Sequence, residues 1–506
     1  MGETSGKCKE NNSLTGYRGK CDGLPHQRYS SRSIGVTHVR SESSPAARFI
    51  TRLTWDALPR EVIDRAVMCL TDTLAAMLAG RTTRSARITA DLAHAWWPAG
   101  AASSIVSGRR LAPGGAAFAN AVAANAVDID DCGIYTWGHP GAQVVPAALA
   151  LAEEHRLSGR ELITAIVIGY EIAFRAGRCL NHEQSAVHSA ERTYRACGSW
   201  GSVACAAIAC HVLGLDETTT RHALGIAEYD SPDLPMMRAI DTPGMVKHGV
   251  GFGALTGLLS ADLARRGFTG IEPGLDLEEF RPFVDDLGHD YYLPRGITWK
   301  RFSSCAWTHP ALLAVEELRT RHPLAPESIE RVVIATYPDA VRLGTRRPET
   351  TEEAQFNLAW PVAAMLVDGK VGPEQVGDSS LGSEAIAGLA RRIDVVVSEE
   401  LSRRYYLSEI NDPEGSDSAE VTVTLTDGTV LSSGRVDHVL YPEPGWTWDD
   451  MREKFTWLAS GRLEPASVPR LLEALADVES ADDSSILMRD LASCLIPVPT
   501  EQGVPS

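Results

Sequence analysis

The sequence predicts a mainly α protein: a large, Ala-rich helical domain, a smaller α+β unit, and a helical return. Three observations predict it. Apolar residues recur at helical spacing across residues 46–275, β-branched runs alternate with helical ones across 297–442, and the helical pattern resumes over 446–494.

Taken in order, residues 1–45 are rich in Ser, Gly, Lys and Arg with few large apolar side chains, and read as a disordered leader. The leader lacks the apolar stretch of a secretory signal, and Glu3, Glu10 and Asp22 weigh against a mitochondrial presequence. The expected location is the cytosol, with mitochondria as the alternative should the leader act as a presequence. Ile63, Val67, Leu70, Leu74 and Met77 keep helical spacing, and Gly80 follows as a stop. Further helical patterns cover 84–97, 114–127, 143–154, 159–177, 199–213, 217–227 and 247–266. In the α+β unit, Ile329 to Thr336 and Asp394 to Ser398 read as strands, and Val421, Val423 and Leu425 run into a hairpin turn at Asp427-Gly428. Helices are expected there at 309–321, 355–368 and 382–391. The tail 497–506 reads as disordered.

The chain has 506 residues, 44% hydrophobic and 23% charged, with a net charge of −18. That acidity argues against nucleic acid as a partner, because phosphate binding needs a concentrated basic surface. No window reaches the run of about 18 apolar residues that a membrane span needs. The ten cysteines are scattered, without C-x-x-C spacing, so zinc and iron–sulfur sites are unsupported.

The densest chemistry lies in Asp128-Ile129-Asp130-Asp131-Cys132-Gly133-Ile134-Tyr135-Thr136-Trp137-Gly138-His139-Pro140, between two apolar segments. One Asp there suffices to cap a helix; the remaining carboxylates, with His139 and Cys132, form a candidate acid/base site. Arg192 and Arg195 precede an Ala-rich helix start, a place that attracts carboxylates. Lys247 precedes Gly249, Gly251 and Gly253, which suit close helix packing or approach by a ligand; the spacing is not a dinucleotide fingerprint. Lys300, Arg301 and His309 form a basic cluster, in which Lys300 and Arg301 are the anion-binding candidates. No G-x-S-x-G elbow is present.

Several blocks together resemble the MmgE/PrpD family: Asp72-Thr73-Leu74-Ala75, Asp128-Ile129-Asp130-Asp131 with His139-Pro140, Gly169-Tyr170-Glu171, Lys247 with Gly267-Phe268-Thr269-Gly270, Trp299-Lys300 and Ala354-Gln355-Phe356-Asn357. The resemblance implies a discontinuous helical domain with a smaller α+β lid, a homodimer, and a site between the domains that uses no metal or other cofactor. It places Asp128, His139, Lys247 and Lys300 at active-site positions, and Tyr337 nearest the lid tyrosine. Cys132 stands where the family usually has Thr, and Arg192-Thr193 where members carry His-Pro. The implied activity is a lyase acting on a small di- or tricarboxylic acid. Dehydration of a 2-methylcitrate-like acid is the first expectation, with Asp128, His139, Lys247 and Cys132 as catalytic residues and Lys300, Arg301, Arg192 and Tyr337 binding substrate. Decarboxylation of a cis-aconitate-like acid or epimerisation comes second, and an inactive dimeric binding protein third.

Overall fold

Alanine and glycine set how closely the helices of this protein pack. In the computed structural model, which describes residues 44–181, 194–409, 414–438 and 445–497, the first half is a stack of helices. They are α1 (Pro45–Arg52), α2 (Arg60–Gly80), α3 (Arg84–Trp96), α4 (Pro113–Asn125), α5 (Gly141–His155), α6 (Gly159–Leu180), α7 (Cys197–Val212), α8 (Glu217–Tyr229) and α9 (Val250–Arg265). Helix α2 ends at Gly80, where a Cβ would stand 1.9 Å from the Ala123 carbonyl of α4. Gly201 of α7 and Gly253 of α9 close on the Gln143 side chain in the same way. The glycine run after Lys247 is thus used for helix packing.

The smaller unit holds α10 (His309–Arg321), α11 (Ala359–Asp368), α12 (Glu384–Ala390) and α13 (Glu399–Glu409). Its strands are β3 (Ile329–Thr336), β4 (Ile393–Val397), β5 (Asp417–Leu425) and β6 (Val430–His438), in sheet order β4-β3-β5-β6. Only β3 and β4 pair in parallel. Two further strands, β1 (Cys132–Gly133) and β2 (Ile297–Thr298), pair outside this sheet. The helical return comprises α14 (Trp448–Ala459), α15 (Val468–Ala476) and α16 (Ser485–Ser493).

Two apolar cores follow this division. One gathers side chains from Ala46 to Trp299 and again from Met451 to Cys494, which makes the helical layer discontinuous in sequence. The other gathers Phe302 to Val436, joined by Tyr194, Met236, Met237 and Ile240. Lys300 lies in the short crossover between them. Among the described residues no helix is long and apolar enough to cross a membrane. The expected leader up to residue 43, the tail from 498, and Arg192 lie outside the described residues.

Candidate active site

The Asp-rich segment begins where α4 ends at Asn125. Asp128 follows with φ +55°, a left-handed conformation that Asp tolerates better than most residues. Lys247, before α9, has φ +40°. These two unusual backbone positions send their side chains to one point. Lys247 Nζ lies 3.4 Å from Asp128 Oδ1, and Lys300 Nζ donates to Asp128 Oδ2 at 2.8 Å. The antiparallel pairing of Cys132 with Thr298 and of Gly133 with Ile297 carries Lys300 to this position.

His139 completes the group: Nε2 is 3.5 Å from Asp128 Oδ1 and Nδ1 is 3.1 Å from Asp130 Oδ2. Lys247 also donates to the Asn125 carbonyl and, at 2.7 Å, to Gln355 Oε1. Gln355 in turn donates to the Ala126 carbonyl at 3.0 Å. Asn125 donates to both Asp130 oxygens and meets His248 Nδ1 at 2.9 Å, while the His248 ring lies 4.4 Å from that of His139.

The whole group is buried, Asp128 to 1% exposure. Burial alone would raise the Asp128 carboxyl; the Lys300 and Lys247 ammoniums foremost outweigh it and hold the group well below the usual range. Burial works against the Lys300 ammonium too, but Asp128 more than compensates. Burial and the neighbouring His139 keep His248 neutral at physiological pH, well below its ordinary value.

Behind this layer stands a second one. Asp131 accepts the Gly141 N–H at the start of α5 (3.0 Å) and the Tyr170 hydroxyl (2.5 Å), the helix-capping use expected of one Asp. Burial and nearby Asp72 push its carboxyl well up. Lys454 of α14 donates to Asp72 at 2.5 Å and to the Ile129 carbonyl at 2.8 Å.

Asp128, His139, Lys247 and Lys300 therefore converge; Cys132, Arg301 and Tyr337 do not share these contacts, and Arg192 lies outside the described residues. Cys132 lies beside the group on β1, but burial raises its thiol well above the ordinary value, which disfavours a thiolate nucleophile. Arg301 is turned outward to Glu316 (3.0 Å) and does not share the Asp128 contacts of its neighbour Lys300. Tyr337 directs its hydroxyl to Asp417 (3.4 Å) and stacks on Tyr405 at 4.1 Å, in a small apolar cluster of its own. His309 starts α10, packed on Phe302 and His438, each at 5.1 Å. Sequence reasoning missed Asn125, Asp130, His248 and Gln355 as individual participants. Asn125 has a signal, one of two amides, with Asn120, in a helix of otherwise apolar residues, set just ahead of the Asp-rich turn.

Asp128, His139 and His248 each offer a donor atom within 4.8 Å of the others, the geometry of a three-residue cation site. Both Asp128 oxygens already face ammoniums, however, and those ammoniums repel a cation. The same charges attract a carboxylate.

Two family models match the chain, the MmgE/PrpD N-terminal domain over residues 45–283 and the MmgE/PrpD C-terminal domain over 302–479. The chain belongs to the MmgE/PrpD family. Among similar proteins, the cis-aconitate decarboxylase-like protein oryM of Aspergillus oryzae is 28% identical, over 87% of this chain and 95% of its own length. The cis-aconitate decarboxylase of Homo sapiens is 26% identical, over 89% and 94%. That of Aspergillus terreus is 24% identical, over 93% and 98%. Together the family and these relatives support a lyase. The relatives are named as cis-aconitate decarboxylases or, for oryM, as decarboxylase-like, and none of them as a 2-methylcitrate dehydratase.

Proposed function

We propose that the chain is a lyase that decarboxylates a cis-aconitate-like tricarboxylate. The observation that carries this reading is the convergence of two ammoniums and an imidazole on one buried carboxylate, Asp128. Lys247 and Lys300 exchange Asp128 for substrate carboxylates as the acid binds. One carbon–carboxylate bond then breaks and carbon dioxide leaves. Its electron pair passes into the neighbouring double bond and carboxylate as a dienolate, whose charge is held by the lysines. His139, with Asp130 Oδ2 3.1 Å from its Nδ1, is placed to return a proton to carbon. The eight free cysteines among the described residues suit a reducing compartment such as the cytosol.

Purified protein incubated with cis-aconitate in deuterated water should release carbon dioxide and place one deuterium on product carbon, read by NMR. Lys247→Met should lower kcat by about 10²–10³-fold, the usual cost of losing a charge-stabilising group, with an unchanged circular dichroism spectrum. Near-normal turnover by this variant removes Lys247 from the reaction. Formation of an alkene from 2-methylcitrate without carbon dioxide replaces decarboxylation by dehydration.

A further inference from the structure

A cleft of about 460 Å³ opens beside the centre, between α14 and the segment that carries Lys300. Two almost fully buried lysines line it, Lys300 (2% exposed) and Lys454 (4% exposed). Lys300 spans from the cleft to Asp128, and Lys454 from the cleft to Asp72. Further walls are the half-buried indoles of Trp446 and Trp457, with Gly445 and the exposed Arg301 beside them. Both indoles are backed by structure. Trp446 meets Trp299 edge-on at 6.0 Å, and Trp457 lies so close over Gly372 that a Cβ there would come within 2.6 Å of it. Asp450 and Glu453 also line the cleft.

This combination selects a kind of ligand. Lys300 joins the cleft to the Asp128 centre, where a substrate carboxylate can take the place of Asp128. The indoles offer apolar area that a bare polycarboxylate cannot use, and Asp450 and Glu453 offset the charge of Arg301, whose guanidinium already pairs with Glu316. The volume falls within the roughly 300–1,000 Å³ of small-molecule sites, leaving room beside the acid groups. We propose that the substrate is a carboxylic acid with an alkyl or aryl substituent, the carboxylates held at Lys300 and the Asp128 centre and the substituent lying between Trp446 and Trp457. This inference rests on the lyase reading and narrows its substrate class.

The test is calorimetric titration of the full chain with succinate and n-alkylsuccinates from methyl to hexyl. Affinity should rise about fourfold per added methylene until the cleft is filled, the factor that burial of one methylene gives. Trp457→Ala and the milder Trp457→Leu should each flatten this slope, and the longer acids should compete with turnover of cis-aconitate. Affinity independent of chain length, a slope that survives both substitutions, or length-dependent binding without competition against an observed turnover would overturn the proposal. A steep slope in a protein that turns over no acid refutes the lyase reading and leaves the cleft's preference standing. Turnover of the unsubstituted acid with a flat slope refutes the substituent alone.

Discussion

Asp128 combines two unfavourable conditions, a left-handed backbone and a buried charge, and only its neighbours make the combination stable. Strained backbone of this kind costs on the order of 1–3 kcal/mol, offset here by two ammoniums. Asp417 is a buried carboxyl without that help. Burial pushes it up to about 7 from 3.8, with nearby Asp339 adding to the effect, although Tyr337 donates to it. The folded protein therefore holds this proton more tightly than the unfolded chain. The resulting stability is fully present below the unfolded value and is lost as pH rises through about 7, a difference worth about 4 kcal/mol over the window. Asp417→Asn cannot ionise, so its melting temperature should gain on that of the parent protein by a few degrees between pH 4 and pH 8. Parallel melting curves across that range would show that the carboxyl ionises freely. The two acids also mark what residue-level reading delivers. Asp128 and His139 were legible because carboxylates and an imidazole crowd an apolar stretch, whereas Lys247 and Lys300 were placed at the site by the family resemblance. Tyr337 faces Asp417 and Tyr405 and not the centre, because sequence gives a residue's neighbourhood and not the direction of its side chain.

The elements explain how remote residues are brought onto the Asp-rich turn. The two-residue pairing of β1 with β2 seats Lys300, and α14 sends Lys454 back to the Ile129 carbonyl. Lys454→Met leaves the buried Asp72 unpaired, and breaking such a pair costs about 3–5 kcal/mol. The expected result is a lower urea midpoint at pH 8, where Asp72, raised by burial to about 6, is ionised. Adding Asp72→Asn should restore most of the loss, since it removes the stranded charge. A single variant as stable as the parent would mean that α14 is held by apolar packing alone. The long helices were legible from their 3.6-residue period, and α2, α5 and α6 lie within a few residues of expectation. Helix α9 starts at Val250 and not at 247 because Lys247 and Gly249 adopt positive φ and form a turn first. A strand of two residues has no period at all, so the β1–β2 contact that completes the centre left no trace in the sequence.

At the scale of the whole molecule, two helices expose apolar side chains that no other described residue covers. Helix α3 exposes Ile88, Leu92 and Trp96 at four-residue spacing, and α9 exposes Phe252, Leu259 and Leu263. Helix α4 packs between them, and a line of rings joins the two stripes: Trp96 to Trp97 at 5.9 Å, Trp97 to Phe118 at 6.2 Å, and Phe118 to Phe252 at 5.1 Å. Trp96 at 70% and Phe252 at 57% exposure carry the largest apolar rings of this face. We propose that a second copy of the chain, expected from the family resemblance, docks here with its own α3–α9 face opposed in a two-fold arrangement. Sedimentation should then give twice the chain mass at micromolar concentration. Leu259→Glu buries a carboxylate twice in such an interface and should shift the protein to monomer, whereas Glu at the distant, exposed Val430 of β6 should not. A monomeric parent protein would return the face to solvent. The consequence for the centre is direct: Met245 and Val246, exposed just ahead of Lys247, precede α9 in the same segment, so a copy seated on α9 would also restrain the turn that aims Lys247 at Asp128.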